Sequence, residues 1–215
     1  MCQCIELGVA VRDLKKQFPG LSLAQWPARR RELVQTGDLA QVIRLDPALG
    51  QAELQLARWG LVGAFLDAPP SRPLQMLPLA GLDKRPFYNR LLAGQRCAIA
   101  VRSFVLPGLR GQLDRRVERA DGRGILLAAL YDHHPQVGWS FALIEASGPP
   151  ALRPANGWPL VLTEDDCAVW FGDWSAYLAE FGLQLPDAGQ TVAWQVTALP
   201  RPEPSPQLAL NFAWG

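Results

Sequence analysis

Arg96-Cys97-Ala98-Ile99-Ala100-Val101 and, one residue later, Ser103-Phe104-Val105-Leu106 set the fold class. Short, nearly unbroken apolar runs with β-branched and aromatic side chains read as buried strands. Further strands are predicted over 112–119, 124–131 and 138–145 on the C-terminal side. On the N-terminal side, Pro86 opens a helix to about Gln95, since proline suits the first helical turn. Before it, residues 66–82 carry five prolines and glycines and read as a long surface loop. Residues 41–46 and 53–62 partly alternate apolar and polar, the pattern of half-buried strands. Residues 25–36 read as a short helix with Arg29, Arg30 and Arg31 near its start.

A second long helix is predicted from Thr163 to about Phe181, ending at Gly182. Thr163 can cap it, and Glu164, Asp165 and Asp166 suit the positive end of the helix dipole. Trp170, Trp174, Tyr177 and Phe181 recur at three- to four-residue spacing and form its core face. Residues 191–198 read as a last strand, and Pro200, Pro202, Pro204 and Pro206 make a stiff extended segment after it. The apolar tail Leu208–Trp214 is expected to dock on the body. Many strands with few helices make the chain α+β, mostly antiparallel β with flanking helices, and no linker divides residues 1–215 into separate domains.

The 215 residues, 49% of them hydrophobic, suffice for a substantial core. With 21 basic and 20 acidic residues there is no global field to draw nucleic acid, though a local basic groove is compatible with this balance. Eighteen of the basic residues are arginines, the better bidentate partner for phosphate. Four cysteines (Cys2, Cys4, Cys97, Cys167) do not make a disulfide scaffold in a chain this long. No signal peptide and no apolar run of membrane-spanning length is recognised, which predicts a cytoplasmic protein.

Cys2 follows the initiator directly. Once Met1 is removed, a cysteine N-terminus carries an amine of pKa about 8 beside a thiol of about 8.5, a pair able to capture an aldehyde as a thiazolidine. The segments around it resemble, in order, the SOS response-associated peptidase (SRAP) family, also called abasic-site processing proteins. Met1-Cys2 is similar to its start, and Arg58-Trp59-Gly60-Leu61-Val62 to its Trp-Gly-Leu-Val strand. Phe87 falls on a family Phe, Arg96-Cys97-Ala98-Ile99 on an Arg-Cys strand, and Ser103-Phe104 on a Gly-aromatic pair. Ala128-Ala129-Leu130-Tyr131, Phe141-Ala142-Leu143-Ile144 and Pro159-Leu160-Val161-Leu162 with Trp170 resemble later core strands and a helix. The likeness covers about residues 1–180.

The resemblance implies a compact, mostly β fold with a positively charged channel for single-stranded DNA. It also implies covalent capture of ring-opened abasic sites by Cys2, and removal of residues that precede that cysteine. No cofactor and no metal are called for. The family's polar helpers do not carry over. Its Asn falls at Met76 when counted back from Arg96, or at Gln75 when counted from Phe87; the Arg that follows falls at Pro78 or Leu77. Its Glu falls at Leu106 and its His at Ala155. Proton-transfer groups are worth about 100-fold or more each, so slow, proximity-driven capture by Cys2 is the expectation.

Arg29–Arg31, Arg85, Arg90, Arg115, Arg116 and Arg119 line either a DNA groove or a solvated charged face; the sequence leaves both open. Phe65, where the family usually has Trp, is the candidate for base stacking. Cys2, Cys4, His133 and His134 have poor spacing for zinc. Tyr131–Pro135 is expected to be a polar turn between strands. Two functions fit these residues: a protein of single-stranded or abasic DNA with weak or lost catalysis, or a non-enzymatic interaction protein on the same fold.

Overall fold

A computed structural model of the protein describes residues 2, 4–17, 32–46, 49–108, 112–152, 157–176 and 192–200. Thirteen strands among them form two sheets. The smaller comprises β1 (Cys4–Glu6), β2 (Leu33–Gln35), β7 (Ser103–Leu106), β8 (Arg115–Arg119) and β13 (Trp194–Ala198), in the order β13-β8-β7-β1-β2. The larger comprises β3 (Leu39–Leu45), β4 (Ala52–Trp59), β6 (Arg96–Val101), β9 (Ile125–His134), β10 (Gly138–Ala146), β11 (Trp158–Pro159) and β12 (Val161–Leu162), with β5 (Met76–Pro78) added beside β10. Strand β10 pairs with β9 antiparallel and with β4 in parallel, which closes β3, β4, β10, β9 and β6 into a ring.

Alternation sorts the side chains of this ring. Val42, Ala57, Trp59, Cys97, Ile99, Leu127, Ala129, Phe141 and Leu143 join Ile5, Phe104 and Val117 of the small sheet in one core. Ile43, Leu54, Ala98, Leu126, Ala128, Leu130 and Ala142 face the helices in a second core. There they meet Leu14 of α1 (Val11–Gln17), Leu91 and Leu92 of α2 (Pro86–Gly94), and Trp170 of α3 (Glu164–Phe171). Thr163 caps α3 reciprocally with Asp166, a capping box that satisfies two otherwise orphaned backbone N–H groups. Arg96 donates to the carbonyls of Ala93 and Gly172 and lies 5.2 Å over the Trp174 ring, so one guanidinium staples the ends of α2 and α3.

Several sequence expectations need correction. Residues 33–35 form β2, not the end of a helix, because they pair antiparallel with β1; residues 25–31 lie outside the described residues. The stretch 66–82 is not loop throughout: Met76–Pro78 pairs in parallel with Leu143–Glu145, a partner too distant in sequence to leave a local signature. Residues 131–134 are the end of β9 and not a turn, since they pair with β10 through Gly138↔His134. Helix α3 stops at Phe171, where the Gly172 backbone is extended; Tyr177 and Phe181 lie outside the described residues. Among the described residues no helix is long and apolar enough to cross a membrane.

Candidate functional site

Cys2 lies just before β1, whose pairing with β7 sets Cys4 opposite Val105. Its residue is 1% exposed. The thiol donates to the Cys4 carbonyl at 3.5 Å. Burial, and secondarily Cys4, pushes the Cys2 thiol up to about 12. The fold brings Cys2, Met76 and Leu106 into one apolar core cluster. Met76 is 7% exposed and Leu106 fully buried. The count from Arg96 therefore gives the residue that shares the cluster of Cys2. Gln75 is only half-buried, and its carbonyl accepts from the Trp59 indole at 3.0 Å. Ala155 lies outside the described residues. Among the described residues, then, the two positions Met76 and Leu106 share the core cluster of Cys2 as apolar side chains.

A second constellation is open to solvent. Phe65 is 66% exposed, although it is a large aromatic side chain. Its ring meets Phe87 of α2 edge-on at 4.7 Å, and Phe87 in turn meets Tyr88 at 5.3 Å. Arg85, at the start of α2, lies 5.7 Å over Tyr88, and Arg90 lies 5.5 Å over Phe87. Three of the predicted DNA-contacting residues, Phe65, Arg85 and Arg90, are thus gathered on one face by α2 and the turn after Val62. Gly63 makes this approach feasible, because a Cβ there would sit 2.5 Å from the Phe65 ring and 2.9 Å from that of Phe87.

The other two stand elsewhere. Arg115 and Arg116 belong to β8 of the small sheet. Arg116 faces the buried Glu6 carboxylate at 3.5 Å, and Glu6 also accepts from the Ser103 hydroxyl at 2.8 Å. Arg119 is paired with Asp121, whose carboxyl it holds down at about 2. Arg29–Arg31 lie outside the described residues. The two histidines separate: His133 is exposed against Trp139 at 4.8 Å, whereas His134 is buried. His134 Nδ1 accepts from the Gln136 N–H at 3.1 Å, so Nε2 carries the proton and donates to the Leu66 carbonyl at 2.9 Å. Among the described residues no group of three or more potential metal ligands is found.

Sequence reasoning missed Asp132. Its residue is 2% exposed, and its carboxylate accepts four hydrogen bonds. Ala64 N–H and Arg90 reach Oδ2 at 2.9 and 3.0 Å; Gln95 and His133 N–H each reach Oδ1 at 3.0 Å. The only signal in the chain is an acidic residue that follows the apolar run Ile125–Leu130 in one strand, because the donors lie up to 68 positions away.

Solved structures share this fold. A protein from Bordetella bronchiseptica superposes with a TM-score of 0.70 at 18% identity, over 93% of this chain and 100% of that one. A phage-related protein from the same organism gives 0.63 at 14%, over 92% and 94%. A protein from Bacteroides thetaiotaomicron gives 0.68 at 12%, over 93% of each. No curated protein matches the chain. The model of one family, SOS response associated peptidase (SRAP), matches residues 1–199. With nearly the whole length matched, this chain belongs to the SRAP family, whose name ties it to the response to DNA damage.

Proposed function

We propose that this protein binds single-stranded, damage-bearing DNA across the Phe65–Phe87–Tyr88 face, and that Cys2 captures abasic aldehydes slowly at most. The observation that carries this reading is the exposed Phe65 ring, held edge-on against Phe87 and flanked by Arg85 and Arg90. An exposed aromatic beside guanidinium groups is the pattern of single-strand binding: a base stacks on the ring for about 1–3 kcal/mol, and arginines follow the backbone. Arg115 and Arg116 stand on β8, apart from this face, and Arg116 is already paired with the buried Glu6, so the proposed binding does not rest on them. The weak chemistry follows from Cys2, whose thiol is buried and strongly protonated, and from Met76 and Leu106 in the places of polar helpers. Thiazolidine formation further requires that Met1 be removed.

Fluorescence anisotropy with a labelled oligothymidylate tests the binding. Affinity should fall with salt, with a log–log slope of roughly −0.7 for each phosphate neutralised. Loss of Phe65 should weaken it. Absence of any salt-dependent binding would favour the other reading, an interaction protein that kept the fold without the DNA function.

A further inference from the structure

We propose that Asp132 is the positioning residue of the Phe65 face, the group through which the ring fold sets DNA affinity without itself touching DNA. This rests on the function proposed above. The carboxylate sits at the end of β9, 2% exposed, and ties together parts that meet nowhere else in sequence. One oxygen, Oδ2, takes the N–H of Ala64, the residue before Phe65, and the guanidinium of Arg90, the residue that lies over Phe87. The other, Oδ1, takes the side-chain amide of Gln95 at the C-cap of α2 and the N–H of His133. The next residue but one, His134, holds the Leu66 carbonyl, so the Phe65 backbone is fixed on both sides from the same strand.

Physically, an exposed aromatic stacks on a base with full effect only if its ring is already in place; otherwise ordering the side chain and loop offsets the gain. Phe65 itself is two-thirds solvated, so its edge contact with Phe87 leaves part of its order to the backbone. The backbone anchor at Ala64 supplies that order. Arg90 is kept over Phe87 by the same oxygen, because a buried carboxylate needs its charged partner. One buried acid therefore coordinates the stacking ring and its flanking cation.

The test uses the full chain with Asp132→Asn and, since a buried carboxylate change can unfold a protein, Gln95→Met as the milder variant on the opposite oxygen. Hydrogen exchange by NMR reads the anchor without DNA. Exchange of the Ala64 and Phe65 amides should quicken at least tenfold in Asp132→Asn and several-fold in Gln95→Met, with β6 and β3 amides unchanged. Oligothymidylate affinity should fall five- to twentyfold in Asp132→Asn. Combined with Phe65→Ala, the loss should be clearly smaller than the product of the two single losses, because much of it passes through the same ring. A purely structural role would instead speed exchange across β9 and multiply the two losses. Unchanged Ala64 exchange in both variants, or multiplying losses, overturns the inference. Wild-type protein that fails to bind oligothymidylate overturns the proposed function; the exchange measurement still reports separately whether Asp132 holds the loop.

Discussion

Iodoacetamide should leave Cys2 almost unmodified in the native protein at neutral pH. Only the thiolate reacts, and its share falls tenfold for each step by which the thiol's pKa exceeds the ordinary value. Burial moves Cys2 from 9.0 to about 12, so the thiolate share falls by about a thousandfold. Its 1% exposure slows the reagent's approach further. Cys4, half-buried, should be labelled first. The assay is quenched labelling at about pH 7.5, with tandem mass spectrometry to separate Cys2 from Cys4 on their shared peptide, against the same protein unfolded in urea. Native Cys2 should react at least about 100-fold more slowly than in the unfolded chain. A native rate within about tenfold of the unfolded one would refute the claim that packing silences this thiol, and with it the argument for weak aldehyde capture.

Phe65→Ala should cost about 1–3 kcal/mol of oligothymidylate affinity, roughly 5- to 150-fold, by anisotropy, with the melting temperature nearly unchanged because the ring is exposed. Thr163→Ala removes half of the α3 capping box and should lower stability by about 1 kcal/mol in urea titration. Phe104→Ala empties a fully buried site against Trp158 and Trp194, at 5.2 and 6.0 Å, and should cost about 3–5 kcal/mol in the same titration. Alkali should also destabilise the protein. Burial raises the Cys2 and Cys97 thiols above their unfolded values, so the stability tied to their protons is complete below about pH 9 and is lost as pH climbs toward the folded values. Urea midpoints that stay flat between about pH 8 and about pH 10.5 would contradict this.

The parts of the fold carried by local pattern were legible in the sequence. Apolar runs gave β6 and β7, Pro86 opened α2, and Thr163 with its acidic first turn marked the start of α3. The parts that depend on distant partners were not. Leu33–Gln35 becomes a strand because β1 lies beside it, and Met76–Pro78 is drawn into the sheet by β10. Helix α1 is seven residues long and offers too few turns for a periodic signal. The site divides in the same way. Residue type suggested Arg85 and Arg90, the family resemblance pointed to Phe65, and the fold gathers the three beside α2. The burial of Cys2 follows from its neighbours across two sheets, and Asp132 draws donors from two distant segments, the turn at Ala64 and α2 with its C-cap Gln95.

The central claim is that this SRAP-family chain holds damaged single strands but has largely lost the power to join them. The most direct measurement mixes Met1-free protein with a single strand carrying one abasic site and runs the products on native and denaturing gels side by side. The account predicts a salt-sensitive shift on the native gel and no comparable covalent band on the denaturing one. A rapid denaturant-stable adduct mapped to Cys2, or no native shift at all, would contradict it.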